Sequence, residues 1–187
     1  VAGGVRMVAK DTTIIGSRIG FLPVIEGGAA GAGFLRADGG EPGDRVAMQV
    51  PKSPEAIALY LATLQIGGVF LPLNTAYTGA EMRYFLGDAQ PRVLVCAPDR
   101  HSGYAEYQDD LVLETLGESA DGTLLSGEDR DTHVVEAAAA DPAAILYTSG
   151  TTGRSKGAVL THGNLASNCE ALLDAWQFTA ADKLIHA

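Results

Sequence analysis

Apolar positions in the first readable part of the chain switch from strand spacing to helix spacing and back. Residues 46–50 alternate between apolar and small or polar side chains, which predicts a strand. Ser53 and Pro54 are typical of a helix start, and apolar residues follow at i, i+3, i+4 and i+7 until two glycines end the pattern. The apolar run at residues 69–73 predicts a buried strand. Together these residues form a strand–helix–strand unit.

The same unit is repeated immediately. Thr78 and Glu81 have the spacing of a capping box, and an apolar helical face continues to residue 89. The apolar run at residues 93–96 then predicts the next strand. Strands that alternate with helices of about ten residues predict an α/β fold, with a parallel sheet joined by right-handed crossovers.

Two more strands and another helix are predicted towards the C-terminal end. Residues 143–147 and 158–160 are apolar and bounded by turn-forming residues. Asn164 is expected to begin a helix, and we expect Trp176, on its apolar face, to lie in the core. Residues 183–187 have the composition of the start of a further strand.

The N-terminal part of the chain has a different composition. The first 43 residues hold 11 of the 23 glycines, and their periodicity is poor. We predict a short helix at residues 29–37 and assign no element before it. Residues 1–28 are therefore treated as a glycine-rich segment of their own, and residues 29–187 as the part that belongs to one domain.

The net charge of −10 is concentrated in one segment. Residues 99–141 contain twelve acidic and two basic residues, and the remaining positions carry equal numbers of each sign. We expect this segment to be a solvated surface excursion. The acidic balance argues against a nucleic-acid-binding protein, which needs a basic surface. Residues 142–169, in contrast, hold Arg154 and Lys156 and no acid, so an anionic ligand could bind there.

Three further features favour a cytoplasmic protein without a membrane span. Cys96 and Cys169 lack the spacing of a metal site and are expected to be reduced thiols. Residues 56–80 are uncharged, but Gln65 and Pro72 are among the residues that break the apolar run needed to cross a bilayer. The first ten residues lack the layout of a signal peptide.

The strongest chemical signal is the sequence YTSGTTGRSKG at residues 147–157. Its glycines allow the backbone to approach a ligand closely, while hydroxyl groups and two cations supply hydrogen-bond donors. The candidate ligand-binding residues are Thr148, Ser149, Gly150, Thr151, Thr152, Gly153, Arg154, Ser155 and Lys156. Lys156 does not directly follow a glycine, so this is not a Walker A loop. Composition leaves two interpretations open: a phosphate-binding loop, or a Ser/Thr-rich hairpin that only joins two strands.

With the residues that follow, up to position 165, this segment resembles the phosphate-binding signature of the adenylate-forming superfamily. That superfamily contains acyl-CoA synthetases, luciferases and the adenylation domains of peptide synthetases. Within it, residues 43–46, 70–78 and the variant Arg-Ser-Lys at 154–156 are most similar to malonyl-CoA synthetases. The resemblance covers residues 29–187 as part of the N-terminal AMP-binding domain, and it places the C-terminal domain outside this chain.

The resemblance implies an acid–thiol ligase of the kind found in fatty acid metabolism. A carboxylic acid, with malonate or methylmalonate as the best guess, attacks ATP in the presence of Mg²⁺, and coenzyme A then takes up the acyl group. Residues 148–156 would bind the β- and γ-phosphates, with the strongest contacts from Thr148, Thr151, Thr152 and Lys156. Thr151 and Lys156 would act in catalysis by stabilising the charge that develops on pyrophosphate. No residue is assigned as a metal ligand.

An alternative remains, in which the chain is a non-catalytic nucleotide-binding or interaction module. The resemblance places the adenine, ribose and Mg²⁺ contacts and the acid pocket beyond residue 187. We therefore expect the isolated chain to show no ATP–pyrophosphate exchange with malonate. His162, which follows the second predicted strand of this region, is expected to cap or pack a helix rather than transfer a proton.

Overall fold

A computed structural model of the chain describes residues 6–9, 12–15, 40–119, 121–124, 134–148 and 154–177. The strands are β1 (Arg6–Ala9), β2 (Thr12–Ile15), β3 (Arg45–Gln49), β4 (Val69–Pro72), β5 (Val93–Cys96), β6 (Val112–Thr115), β7 (Pro142–Thr148) and β8 (Lys156–Thr161). The α-helices are α1 (Pro54–Gln65), α2 (Gly79–Ala89) and α3 (His162–Trp176), and a 3₁₀-helix spans Pro98–Tyr107. The helix predicted at residues 29–37 and the strand predicted at 183–187 lie outside the described residues.

Six strands form one sheet in the order β6-β5-β3-β4-β7-β8. The first five are parallel to one another, and β8 runs antiparallel to β7. β1 and β2 pair separately as an antiparallel two-stranded sheet. The predicted α/β class with a mostly parallel sheet is confirmed.

The central strands are buried on both faces, as in parallel sheets covered by helices on each side. In β3, Val46 packs in a core cluster with Leu59 of α1, whereas the next residue, Ala47, packs in a second cluster with Phe85 of α2. Successive side chains of a strand point to opposite faces, so α1 and α2 cover opposite sides of the sheet. The β3–β4 and β4–β5 connections thus build a three-layered core.

The helix starts agree with the sequence signals. The Ser53 hydroxyl accepts a hydrogen bond from the backbone N–H of Ala56 at 3.1 Å. At α2 the capping box forms in both directions, with Thr78 N donating to Glu81 Oε2 at 2.7 Å. That backbone hydrogen bond is the main reason why the pKa of Glu81 lies below its ordinary value. The N-terminus of α2 is therefore fixed by local chemistry.

The interpretation of residues 99–141 as a solvated excursion is wrong for its described part. The 3₁₀-helix and β6 both lie in this segment, and β6 pairs in parallel with β5 at the edge of the sheet. Tyr104, Leu111, Leu116 and Leu124 are buried against the sheet. These four residues contribute to the core, although acidic residues lie between them in the sequence.

The expectation for α3 also needs correction. The helix begins at His162 with Thr161 as its N-cap, two residues earlier than Asn164, because Asn164 serves as the N3 partner of a second capping box. None of its residues is buried, and Trp176 is 62% exposed. Trp176 is therefore not a core residue in this structure, whereas Leu165, Leu172 and Leu173 on the same helix are partly buried.

Two smaller expectations concern cysteines and membranes. Neither Cys96 nor Cys169 forms a disulfide; Cys96 is buried, where desolvation raises its pKa to about 11, and Cys169 is exposed. Within the described ranges, no helix has the length and apolar character needed to span a membrane.

Replacing Leu94 by alanine tests the two-sided core. Leu94 is 0% exposed in β5, so we expect Leu94→Ala to lower the free energy of unfolding of this chain by about 3 kcal/mol. Leu146→Ala is the matched control, because Leu146 is 39% exposed on β7; its expected loss is below about 1 kcal/mol. Denaturant titration measures both values. Equal losses would contradict the burial described for β5.

Candidate functional site

The sequence-predicted loop joins β7 to β8. The register pairs Thr148 with Lys156 as the last pair of the ladder, so residues 149–155 make the connection. A connection this short cannot cross the sheet to form a parallel pair, and the two strands therefore run antiparallel. The two interpretations that composition left open, a phosphate-binding loop and a hairpin that only joins two strands, are both compatible with this geometry, and the choice between them stays a prediction.

The described ends of this loop present hydrogen-bond donors to solvent. Thr148, Arg154 and Lys156 are exposed, and Ser155 is partly buried. Neither Arg154 nor Lys156 forms an ion pair with another described residue. The predicted ligand-binding residues Ser149, Gly150, Thr151, Thr152 and Gly153 lie outside the described residues, so their roles stay predictions.

The β7 end of the loop is held by Tyr147. Its ring packs against Phe85 of α2, with the centroids 4.5 Å apart. Its hydroxyl donates a hydrogen bond to Asp88 Oδ2 at 2.5 Å. Burial raises the pKa of Tyr147 well above its ordinary value, and the Asp88 carboxylate raises it further. The hydroxyl consequently remains a donor across the neutral and moderately alkaline pH range.

The β8 end of the loop is held by Tyr84, also on α2. The Tyr84 hydroxyl donates to the backbone carbonyl oxygen of Ser155 at 2.8 Å. The guanidinium carbon of Arg154 lies 5.7 Å from the centroid of the Tyr84 ring, within the range of a cation–π contact. The backbone just before Lys156 is thus fixed to the same helix that holds Tyr147.

Sequence analysis missed Tyr84 and Asp88. The apolar face predicted for α2 consists of other residues, and those are buried as expected: Met82, Phe85, Leu86 and Ala89. Tyr84 and Asp88 lie beside that face and contact residues 71 and 59 positions away in the chain. Their spacing of four residues on a helix was the only available signal, and it has no meaning until β7 and β8 are placed next to α2.

Two residues with weaker functional signals have structural roles. The backbone N–H of His162 donates to Asp141 O at 3.0 Å at the start of α3, while its buried Nε2 atom finds no hydrogen-bond partner among the described residues. Asn74 Oδ1 accepts from the backbone N–H of Ala76 at 2.8 Å, which is an Asx turn after β4. These contacts give Asn74 a role in a turn and place His162 at a helix start.

The described donors fit an anionic ligand with several oxygens. A threonine hydroxyl, a guanidinium and an ammonium group can each donate to phosphate, and a nearby acid that would compete is absent from residues 142–169. The described residues do not offer a similar set of ligands for a protein-bound metal ion. In the ranges that the structure describes, no group of three or more His, Cys, Asp or Glu side chains could hold one.

Comparison with known proteins gives the family. The pattern of the AMP-binding enzyme family matches residues 29–187. Among solved structures, apo MatB from Rhodopseudomonas palustris is 49% identical with a TM-score of 0.82, covering 86% of this chain and 33% of MatB. The ATP-bound form of MatB matches with 47% identity and a TM-score of 0.80, covering 90% of this chain and 35% of MatB.

Curated relatives agree with this result. An oxalate–CoA ligase from Arabidopsis thaliana is 33% identical over 165 residues, which are 82% of this chain and 32% of the ligase. A malonate–CoA ligase from the same plant is 30% identical over 151 residues, or 77% of this chain and 25% of the ligase. This chain thus spans about a third or less of these relatives. The predicted superfamily is confirmed, and the chain belongs to the family of AMP-binding enzymes.

Proposed function

We propose that the protein containing this chain is an ATP-dependent acid–CoA ligase, and that the β7–β8 hairpin binds the terminal phosphates of ATP. The family match over residues 29–187 supports this assignment, as does the likeness to MatB, a protein whose structure includes an ATP-bound form. Because the chain spans about a third or less of these relatives, the activity of the whole protein is part of the proposal. Within this chain, the proposed ATP-binding site is the β7–β8 hairpin.

The observation that carries the proposal is the pairing of Thr148 with Lys156 at the loop end of the hairpin. This register brings a hydroxyl donor and an ammonium group to the two ends of one short connection, with Arg154 beside them. All three side chains are exposed. A polyphosphate chain lying across the loop would meet donors from both strands.

The reaction proposed for the family needs charge stabilisation at this place. The acid carboxylate forms a bond to the α-phosphorus of ATP while the bond to the β-phosphate oxygen breaks, and pyrophosphate departs with additional negative charge. Donors that are already oriented towards the leaving group favour this transition state without reorganisation. We assign this role to Lys156 and Thr148, and to Thr151 and Thr152 by family resemblance. Coenzyme A would then displace AMP from the acyl-adenylate through its thiol.

The acid proposed is a small dicarboxylate, malonate or methylmalonate. The support is the resemblance of residues 43–46, 70–78 and 154–156 to malonyl-CoA synthetases, together with relatives named for malonate and for oxalate. Mg²⁺ would accompany ATP and neutralise phosphate charge, with its protein ligands outside the described residues. The reduced cysteines and the substrates favour the cytoplasm.

Lys156→Ala is expected to slow formation of the acyl-adenylate about a hundredfold in the full-length protein, because one preoriented donor to the leaving group is lost. The KM for the acid should change little, since Lys156 is assigned to the phosphates. Single-turnover kinetics with radiolabelled ATP measure the step. Arg83→Ala is the control of equal charge change: Arg83 is exposed and makes only a 3.9 Å surface ion pair with Glu106. An unchanged adenylation rate in Lys156→Ala would rule out the phosphate role.

A thioester-forming assay of the full-length protein over several acids tests the substrate. We expect malonate or methylmalonate to give the highest kcat/KM, with acetate, longer acids and aromatic acids at least about tenfold lower, a difference of roughly 1.4 kcal/mol in transition-state binding. Preference for one of the other acids would refute the dicarboxylate assignment and leave the ligase activity standing. ATP binding without thioester from any acid would favour the non-catalytic nucleotide-binding alternative.

A further inference from the structure

One helical face contacts both ends of the loop between β7 and β8. Tyr84 and Asp88 are four residues apart in α2, a spacing that places two side chains on the same side of a helix. Tyr84 reaches the carbonyl of Ser155 at 2.8 Å, and Asp88 accepts from the Tyr147 hydroxyl at 2.5 Å. Ser155 directly precedes Lys156, and Tyr147 directly precedes Thr148.

The helix that makes these contacts is itself firmly held. Its adjacent face is buried in the sheet core through Met82, Phe85, Leu86 and Ala89, and its N-terminus carries the complete capping box. Side chains that project from such a helix have little freedom to drift. Tyr84 and Asp88 therefore hold the two ends of the loop in a fixed position relative to the core.

The two hydrogen bonds are directional, and apolar packing at the same positions would not constrain the loop ends in the same way. A hydrogen bond to the Ser155 carbonyl constrains the peptide that leads into Lys156, and the bond from Tyr147 ties the end of β7 to Asp88 of α2. Burial raises the pKa of Tyr147, so its hydroxyl can donate to Asp88 across the neutral and moderately alkaline pH range. The Tyr84 ring also lies under the Arg154 guanidinium.

We propose that Tyr84 and Asp88 are positioning residues, which hold the two ends of the loop so that Thr148 and Lys156 meet the phosphates in one fixed geometry. This inference rests on the proposed phosphate role of the hairpin. Neither side chain is assigned a contact with substrate. Their effect passes through Ser155 and Tyr147, and a small displacement there moves the donors away from the leaving group.

Paired substitutions in the full-length protein separate positioning from general stability. Tyr84→Phe removes only the hydroxyl and keeps the ring beside Arg154; Asp88→Ala removes the acceptor for Tyr147. Each is expected to lower the adenylation rate constant about three- to tenfold per active site, the worth of one hydrogen bond, with the KM for the acid unchanged within about twofold. Asp88→Asn keeps an acceptor oxygen and should restore most of the rate.

Tyr107→Phe is the matched control. Tyr107 packs against the same core cluster, and no hydrogen bond links it to the described ends of the loop. We expect its adenylation rate constant to equal that of the unaltered protein. Melting temperature and active-site titration are measured for every variant, because a purely structural role would lower these values and leave the rate per active site unchanged. That outcome would overturn the positioning role.

A double-mutant cycle of Tyr84→Phe with Lys156→Ala distinguishes a failure of the positioning role from a failure of the phosphate role. When Tyr84 acts through the loop, Tyr84→Phe should cost little further rate once Lys156 is already alanine, so the two effects are not additive. Additive losses would contradict positioning. If Lys156→Ala has no effect on its own, the phosphate role of the hairpin is wrong. If Lys156→Ala is slow but Tyr84→Phe and Asp88→Ala are not, only the positioning role is refuted.

Discussion

The contact between Phe85 and Tyr147 is the interaction on which the arrangement of the site depends. β4 and β7 share one register pair, Phe70 with Ala144, so backbone pairing alone gives the hairpin a short attachment to the sheet. The two rings, tilted by 49° with their centroids 4.5 Å apart, join α2 to the end of β7. They contribute both buried apolar area and a preferred geometry. The polar contacts of Tyr84 and Asp88 are possible because this packing brings α2 against the described ends of the loop.

The charge distribution fits the same arrangement. The segment at residues 99–141 carries the whole net charge, and its part up to Thr115 lies at one edge of the sheet, where β6 is the edge strand. Arg154 and Lys156 lie at the other edge, at the start of β8. The acids near β6 are therefore separated from these cations by the sheet, and neither cation forms an ion pair with another described residue.

Local chemistry explains which features could be predicted from the sequence. The capping box of Thr78 and Glu81, the N-cap at Ser53 and the short apolar strands are encoded by neighbouring residues, and all of them form. The loop was recognised because its pattern is contiguous. Trp176 was misplaced because periodicity identifies an apolar face but does not identify what covers it. The core role of Leu111 and Leu116 was not predicted, because the segment around them is rich in acidic residues. Tyr84 and Asp88 depend on partners 71 and 59 residues away, respectively, and no local signal encodes such pairs.

The most direct measurement is a crystal structure of the full-length protein with a non-hydrolysable ATP analogue. Our account predicts that Lys156 Nζ and Thr148 Oγ1 lie about 2.7–3.0 Å from oxygens of the terminal phosphates, as expected for charge-assisted hydrogen bonds. Tyr84 should still donate to the Ser155 carbonyl, and Tyr147 to Asp88. Phosphates bound away from the β7–β8 hairpin would contradict the account.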